Sequence, residues 1–282
     1  GITSAEEQPV LPKGNNLSLH LLELFTSQVA KVGMTDGIRQ VLQEESDALR
    51  AYYEQAGILI ARPAGGTSCR LAISAKGGTN AENHNHNDVG SYAVALGSET
   101  MVGDQGGPNS YPGDYFNGDA PQKYKIKGSF GHPVPVVDGR TQSSGGKAKG
   151  VVLQKEFTNE KDVFSIDYTS AYSTPNLDKL IRTFVYDRQG KGSFTVGDEF
   201  TAKTPIRFET AITTRADWKI LDDTHLLLAT DSEQMIVAIE ASGKVAFTSE
   251  TIEVNSPAYT RIGIALKNQS KEGYIRLKMY TK

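Results

Sequence analysis

Two kinds of hydrophobic pattern divide the chain near Gly57. Before it, apolar residues recur at helical spacing: the spacing predicts one helix over Leu17–Val32, and Thr35 and Asp36 are placed to cap a second. A third pattern over Asp47–Gln55 predicts that the helical segment continues almost to Gly57. Residues 1–16 are polar and rich in proline and glycine, which indicates a flexible lead-in.

After Gly57, short apolar runs alternate with turn signals, and no helical spacing returns. The Gly97-Ser98 pair is a candidate two-residue hairpin turn. The predicted strands are Gly57–Arg62, Cys69–Ala75, Ser91–Leu96, Glu99–Asp104, Val134–Asp138, Gly150–Phe157, Val163–Tyr168, Leu180–Tyr186, Ser193–Val196, Ile206–Thr213, Leu226–Ala229, Met235–Glu240, Val245–Thr248, Arg261–Leu266 and Tyr274–Tyr280. Many short strands without intervening helices predict a mainly β fold, a large multi-sheet antiparallel sandwich.

Composition narrows the class of protein but does not identify a function. Of the 282 residues, 38% are hydrophobic and 22% charged, as in a globular domain, and no apolar run approaches the length of a membrane span. The net charge of −3 gives no global attraction for nucleic acid or other polyanions. Cys69 is the only cysteine, so no disulfide forms within the chain. Gly1 has no initiator methionine before it, so we expect a trimmed or excised sequence.

Two of the five histidines lie close together in the segment Asn83-His84-Asn85-His86-Asn87-Asp88. Residues two apart on an extended segment face the same side, so His84 and His86 would line one surface. Such a pair suits a metal, or one imidazole binds metal while the other transfers protons. The alternative is a polar loop of hydrogen-bonding residues, because two histidines at this spacing are common.

Two further residues offer metal ligands at larger sequence distances. Asp104 ends a predicted strand before a glycine pair, and His132 precedes Pro133. Either residue has an ordinary alternative as a turn residue. Together with one histidine of the pair they make a mixed nitrogen and oxygen site with an open position, which suits zinc. Their spacing alone does not bring them together.

The run from His84 to Gln142 resembles the heparinase II/III-like polysaccharide lyases. Their hallmark is similar to His-x-His-x-Asp-x-Gly-Ser-Phe, and this chain has it from His84 to Tyr92, with tyrosine in place of phenylalanine. Asp104 matches an aspartate that precedes a glycine-rich turn. A third block, similar to Ser-x-x-His-Asn-x-x-Val-Val-Asp-Gly-x-x-Gln, is matched from Ser129 to Gln142, except that Pro133 stands where many members have asparagine or serine. The motifs cover about 60 residues in order, which makes the resemblance specific.

The resemblance implies a fold and an activity. Residues 1–56 would be a lead-in and a helical remnant of an (α/α) toroid, and residues 57–282 the sandwich domain. The family cleaves uronate-containing polysaccharides, such as glycosaminoglycans or alginate, by β-elimination. Most of the toroid, and the catalytic groups that it carries, would be missing from this chain. An acidic polysaccharide is then the expected partner, with no nucleic acid and no membrane span. The expected location, periplasmic or secreted, is again implied by the family.

The resemblance also implies residue roles. His84 would be the catalytic histidine, and His86, Asp104 and His132 would bind a divalent metal, zinc, that keeps the cleft wall in shape. Tyr115 is the best local candidate for a second catalytic residue, and an ordinary surface aromatic is its alternative. Asp88 is expected to fix the loop or a histidine tautomer. His20 and His225 are expected to have no functional role.

Two alternatives stay open. Lys123, Lys125 and Lys127 alternate along a possible strand and share a face, which fits either contact with an acidic sugar chain or a solvated edge strand. At the level of function, the chain is either part of a lyase or a non-catalytic carbohydrate-binding sandwich that keeps a metal for stability. A structural or adhesion module is a third hypothesis, which the histidines and Asp104 disfavour.

Overall fold

The computed structural model describes residues 48–82, 85–104, 107–253 and 257–282. The helices predicted over residues 17–42 lie outside these ranges. The third helical pattern was wrong where it is described, because Arg50–Tyr53 is a strand, β1. The Tyr52 ring packs against the rings of Phe157 and Phe164 at centroid distances of 5.7 Å. Four residues are too few for periodicity to separate helix from strand, and these distant contacts decide between them.

The described strands form four antiparallel sheets. The first contains five strands in the order β1-β2-β3-β5-β6. Besides β1, its strands are β2 (Ile58–Ala61), β3 (Leu71–Lys76), β5 (Tyr92–Leu96) and β6 (Glu99–Val102). The β5 and β6 strands pair around Gly97 and Ser98, which confirms the predicted hairpin. Because β1 pairs with β2, the β assembly already begins before the predicted limit at Gly57.

The second sheet contains eight strands in the order β14-β15-β16-β19-β12-β11-β10-β9. Its strands are β9 (Val151–Phe157), β10 (Lys161–Asp167), β11 (Leu177–Asp187), β12 (Ser193–Ile206), β14 (Asp217–Asp222), β15 (His225–Ala229), β16 (Gln234–Ala241) and β19 (Ser270–Thr281). The central β12 strand is much longer than predicted, because beyond Val196 it alternates buried residues such as Phe200 with exposed polar ones such as Glu199.

Two smaller sheets and short helical segments complete the described fold. The third sheet, in the order β17-β18-β13-β7, contains β7 (Val136–Val137), β13 (Phe208–Thr214), β17 (Val245–Ile252) and β18 (Tyr259–Leu266). The fourth pairs β4 (Thr79–Asn80) with β8 (Gly145–Lys149). The helix α1 covers Ala120–Lys123, and single 3-10 turns cover Ser129–Gly131 and Thr169–Ala171.

The eight-stranded sheet packs through one apolar core against the five-stranded and four-stranded sheets. From the five-stranded sheet, Tyr92 lies 6.2 Å from Phe184 and 5.9 Å from Phe194 between ring centroids. From the four-stranded sheet, Phe208 stacks on Phe200 at 4.6 Å. These contacts make the molecule a multi-sheet β-sandwich, as predicted.

The two smaller layers meet end to end beside the predicted site. The Gly103 amide, just after β6, donates to the Thr213 carbonyl of β13 at 3.0 Å, and the Thr213 hydroxyl donates back to the Gly103 carbonyl at 2.5 Å. The junction therefore fixes the backbone next to Asp104.

The strand pattern predicted most of this fold and missed its polar parts. Each predicted strand overlaps an observed one, whereas β1, β4, β8 and β14 were not predicted as strands; β14 is almost wholly exposed. The possible strand through Lys123, Lys125 and Lys127 was wrong, because α1 ends at Lys123 and turns follow. Within the described ranges, no helix is long and apolar enough to cross a membrane.

Candidate metal and catalytic site

Asp104 reaches the site from the end of β6. Its Oδ2 accepts a hydrogen bond from the Ser91 hydroxyl at 3.0 Å. Ser91 directly precedes β5, so the two ends of one hairpin hold the carboxylate from both sides. The second carboxylate oxygen, Oδ1, lies 3.0 Å from the Nδ1 atom of His132.

His132 follows the 3-10 turn Ser129–Gly131, and its side chain is buried. Its Nε2 lies 3.0 Å from the Ile126 carbonyl oxygen, which only accepts hydrogen bonds, so Nε2 carries a proton. Its Nδ1 then faces Asp104 without meeting the geometry of a hydrogen bond to any described residue. The backbone thus fixes which nitrogen is directed at the carboxylate, as for histidines that bind metal.

His86 lies on a loop that Gln142 anchors. The Gln142 side chain accepts from the Val89 amide at 3.0 Å and donates to the Val89 carbonyl at 2.7 Å. It also accepts from the Asn80 side chain at 3.0 Å, and Asn80 in turn accepts from the Asp88 amide at 3.0 Å. The loop forms no regular strand there, and the side chains of Gln142 and Asn80 satisfy its backbone hydrogen-bonding groups instead.

The structure brings four of the predicted residues into contact. His86 Nδ1 lies 3.2 Å from His132 Nε2, and the Tyr115 hydroxyl lies 3.1 Å from His86 Nε2. One ligand atom from each of His86, Asp104 and His132 lies within 4.8 Å of the others. Tyr115 is buried and not a surface aromatic, with its ring edge-on to the His86 ring at 6.3 Å.

The pKa values of the two histidines move in opposite directions. Burial lowers the pKa of His86 to about 4, and the nearby His132 contributes to the decrease. Burial alone would also lower the pKa of His132, but the Asp104 carboxylate outweighs it, so that pKa is raised. Burial, with Tyr111 and Asp104 nearby, raises the pKa of Tyr115 above its usual value. At neutral pH His86 therefore offers an uncharged imidazole, and Tyr115 keeps its proton.

The group formed by His86, Asp104 and His132 fits a divalent metal. A neutral Nδ1 of His132 would direct its lone pair at the Asp104 carboxylate, a repulsive arrangement that a proton or a bound cation removes. Two atoms bound tetrahedrally to zinc at about 2.1 Å lie about 3.4 Å apart. The 3.0 Å between His132 Nδ1 and Asp104 Oδ1 is close to this separation. The His132 and Asp104 atoms are therefore already near the separation that a shared ion requires, and a ligand atom of His86 lies within 4.8 Å of both.

A buried ion pair supports the backbone of both histidine loops. The Arg182 guanidinium of β11 pairs with Asp198 of β12, with hydrogen bonds of 2.7 and 2.6 Å. Its Nη1 donates to the carbonyl of Gly90 and to that of Pro133, both at 2.7 Å. Gly90 follows the His86 loop and Pro133 follows His132, so one side chain joins the eight-stranded sheet to both.

Sequence reasoning named the candidate ligands that the structure brings together, but it missed most of the residues that support them. Gln142 belonged to the matched third block, so a signal existed for it. Arg182 shares the buried phase of its strand with Leu180 and Phe184, and Asp198 shares the buried phase of the next strand, so two charges in apolar positions were a signal that the sequence analysis did not use. Asp88 forms an ion pair of 2.6 Å with Lys76, which agrees with its expected role in fixing the loop.

The remaining histidines divide between two outcomes. His84 and His20 lie outside the described residues, so their predicted roles stay predictions. His225 pairs with Asp222 at 3.0 Å on the surface, as expected for a residue with no part in the site.

Comparison with known proteins finds similar structures but no similar sequences. No protein-family model and no curated protein sequence matches the chain. Among solved structures, heparan sulfate lyase HepC from Pedobacter heparinus matches with a TM-score of 0.70 and 14% identity over 97% of this chain and 43% of that one. A crystal structure of heparinase III matches with a TM-score of 0.64 and 18% identity over 82% of this chain and 36% of that one.

A further heparinase III structure gives a TM-score of 0.65 at 12% identity, over 86% of this chain and 38% of that one. The resemblance that the histidine motifs indicate is thus confirmed at the level of the fold. The chain spans less than half the length of the lyases it resembles.

Proposed function

We propose that the chain is the C-terminal part of a polysaccharide lyase that cleaves a uronate-containing polysaccharide by β-elimination. The contact of Tyr115 with His86, next to Asp104 and His132, carries the proposal, because it places a proton-bearing phenol beside a group suited to a metal. The likeness to heparan sulfate lyase HepC and heparinase III supports it through the fold they share.

β-Elimination needs three groups: one that neutralises the uronate carboxylate, one that removes the C5 proton, and one that protonates the leaving O4 oxygen. Tyr115 suits the last role, because its raised pKa keeps the phenol protonated at neutral pH. We assign removal of the C5 proton to His84, on the family resemblance. A zinc ion held by His86, Asp104 and His132 would stabilise the wall of the cleft.

The neutralising group is assigned to the N-terminal toroid that the resemblance implies, outside this chain. A cleft between toroid and sandwich then needs both walls, because a catalytic group acts only when it is held in position against the substrate. We therefore expect this chain alone to be nearly inactive. A periplasmic or secreted location belongs to the same proposal, since such polysaccharides lie outside the cytoplasm.

The test measures the ultraviolet absorbance of the unsaturated product across a panel of uronate polysaccharides. The samples are this chain, the intact protein, and intact His84→Ala and Tyr115→Phe variants. We expect activity only in the intact protein, and a fall of about 10²- to 10⁴-fold in each variant, the usual effect of losing a proton-transfer group. His225→Ala and Tyr53→Phe are matched controls on the exposed surface and should retain full activity.

The outcomes separate the parts of the proposal. Equal activity in this chain and the intact protein would overturn the two-wall cleft. Full activity in His84→Ala or Tyr115→Phe would overturn that residue's assigned role. An intact protein that binds uronate polysaccharides and cleaves none of them would favour the carbohydrate-binding module instead.

A further inference from the structure

Three lysines of one short segment have different environments. Lys123 forms an ion pair with Asp114, and Lys125 forms one with Glu250, and both lysine side chains are more than half exposed. Lys127 is 7% exposed. The alternation of the three lysines along the sequence gave no indication of this difference.

The charge of Lys127 has no acidic partner within 4 Å among the residues that the structure describes. Its ammonium donates to the Tyr115 carbonyl at 2.6 Å and lies 4.8 Å from the Tyr115 ring centroid and 4.9 Å from that of Phe116. Burial lowers its pKa. A buried cation without a counter-charge is costly, and binding an anion would offset that cost.

Lys127 lines a cavity of about 470 Å³, a size typical of small-ligand sites. The wall also includes Asn85, Asn87 and the half-exposed ring of Phe116. One acidic residue, the exposed Glu82, lines it as well. An aromatic ring, side-chain amides and one buried cation together suit a sugar that carries a negative charge.

The cavity adjoins the histidine site through the backbone. Asn85 and Asn87 flank His86, and the Asn87 amide donates to the Lys127 carbonyl at 2.9 Å. Tyr115 is held at both ends, by His86 at its hydroxyl and by Lys127 at its carbonyl. A sugar in the cavity would therefore contact the two neighbours of His86 in sequence and the lysine that binds the Tyr115 backbone.

We propose that this cavity is a subsite for an anionic sugar residue, with Lys127 binding its carboxylate or sulfate group and Phe116 contacting its ring. The inference rests on the proposed function and assigns a position for charge recognition on the sandwich side of the cleft. Glu82 opposes the anion, so the two side chains make contributions of opposite sign.

The test is calorimetric binding to the intact protein carrying His84→Ala, which is intended to prevent turnover. The probes are a glucuronate-containing tetrasaccharide, its O-sulfated form, and neutral chitotetraose. We expect Lys127→Met to weaken both anionic probes about tenfold and to reduce their salt dependence, as for loss of a charged hydrogen bond. Glu82→Gln should strengthen them, Lys127→Arg should retain most binding, and Lys125→Met, an exposed control, should change neither.

Several results would overturn the subsite. Equal loss of chitotetraose and anionic binding in Lys127→Met would show that Lys127 only positions Tyr115. Anionic binding that Glu82→Gln leaves unchanged would contradict charge recognition here, and this variant remains informative if Lys127→Met does not fold. The carboxylate and sulfate probes separate the two anionic groups: stronger loss with the sulfated form assigns Lys127 to sulfate.

Failure of the subsite and failure of the lyase proposal are distinguishable. If the protein without the His84 substitution cleaves a uronate polysaccharide with a KM that Lys127→Met and Glu82→Gln do not change, the subsite is wrong and the lyase stands. If no polysaccharide is cleaved but binding depends on Lys127, the lyase is wrong and the subsite stands.

Discussion

Two polar groups contribute to the histidine loops, the arginine group around Arg182 and the histidine group around His132, and their hydrogen bonding differs. Around Arg182, all guanidinium nitrogens donate, and both oxygens of Asp198 accept, with Tyr168 and Thr210 supplying further hydrogen bonds. Around His132, the buried Nδ1 faces a carboxylate without a hydrogen bond to any described residue. The first group is complete as it stands, whereas the second becomes complete on binding a proton or a metal.

Their electrostatics differ in the same way. Burial alone would lower the pKa of Arg182, but Asp198 and Tyr168 outweigh it, so the guanidinium stays charged. In the histidine group the pKa of His86 falls while that of His132 rises. Opposed shifts among contacting groups are typical of functional sites, and full satisfaction is typical of structural ones. We therefore attribute stability to the arginine group and propose ligand binding for the histidine group.

The largest effect that we predict is on stability, in the arginine group. Arg182→Met should lower the free energy of unfolding by about 3–5 kcal/mol, because it leaves the Asp198 charge buried and two loop carbonyls without donors. Urea denaturation followed by circular dichroism measures the change. A loss below about 1 kcal/mol would place Arg182 with ordinary surface charges.

The next effect is that of zinc on the histidine group. At a free zinc concentration one hundred times its Kd, the free energy of unfolding should rise by about 2.7 kcal/mol, because the ion binds the folded state. His132→Ala should abolish this increase, and His225→Ala, a surface control, should keep it. Retention of the full increase in His132→Ala would show that zinc binds elsewhere.

A pH effect should also appear in the metal-free protein, because the pKa values of the two histidines are shifted in opposite directions. The folded pKa of His86, about 4, lies below the unfolded value near 6.5, so stability should fall as the pH drops from 6.5 towards 4. The raised pKa of His132 stabilises the folded state below pH 6.5. That contribution is lost as the pH rises through the folded pKa of His132.

The pair should thus give a stability maximum near pH 6.5. Unfolding measured in a chelator at several pH values checks this. His86→Asn should remove the acid-side fall and His132→Asn the alkaline-side fall. A profile that neither substitution changes would contradict the opposed shifts.

The smallest predicted change in the free energy of unfolding is that of replacing an exposed arginine, which serves as a reference for Arg182. Arg276 pairs with Glu199 and Glu240, much as Arg182 pairs with Asp198, but all three side chains are substantially exposed. Arg276→Met should therefore change the free energy of unfolding by less than about 1 kcal/mol. The same urea titration serves as the measurement. A loss as large as that of Arg182→Met would mean that burial does not decide the contribution of these pairs.

The sequence by itself determined the features that depend on local pattern or on the spacing of a motif. Period-two alternation located the strands, and turn chemistry located the hairpin between β5 and β6. The order of the three motif blocks singled out His86, Asp104, His132 and Gln142. These features were predictable because strand alternation repeats over a few residues, and because the motif fixes residue types at fixed spacings.

The tertiary structure decided the rest, because the deciding contacts join residues far apart in sequence. His86 and His132 are 46 residues apart, and Arg182 reaches Gly90 across 92. The strand at Arg50–Tyr53 depends on packing against Phe157 and Phe164. Lys127 and Lys125 are alike in sequence, and only the fold buries one and exposes the other. Burial and partners at such distances set charge, hydrogen bonding and pKa, and no local pattern encodes them.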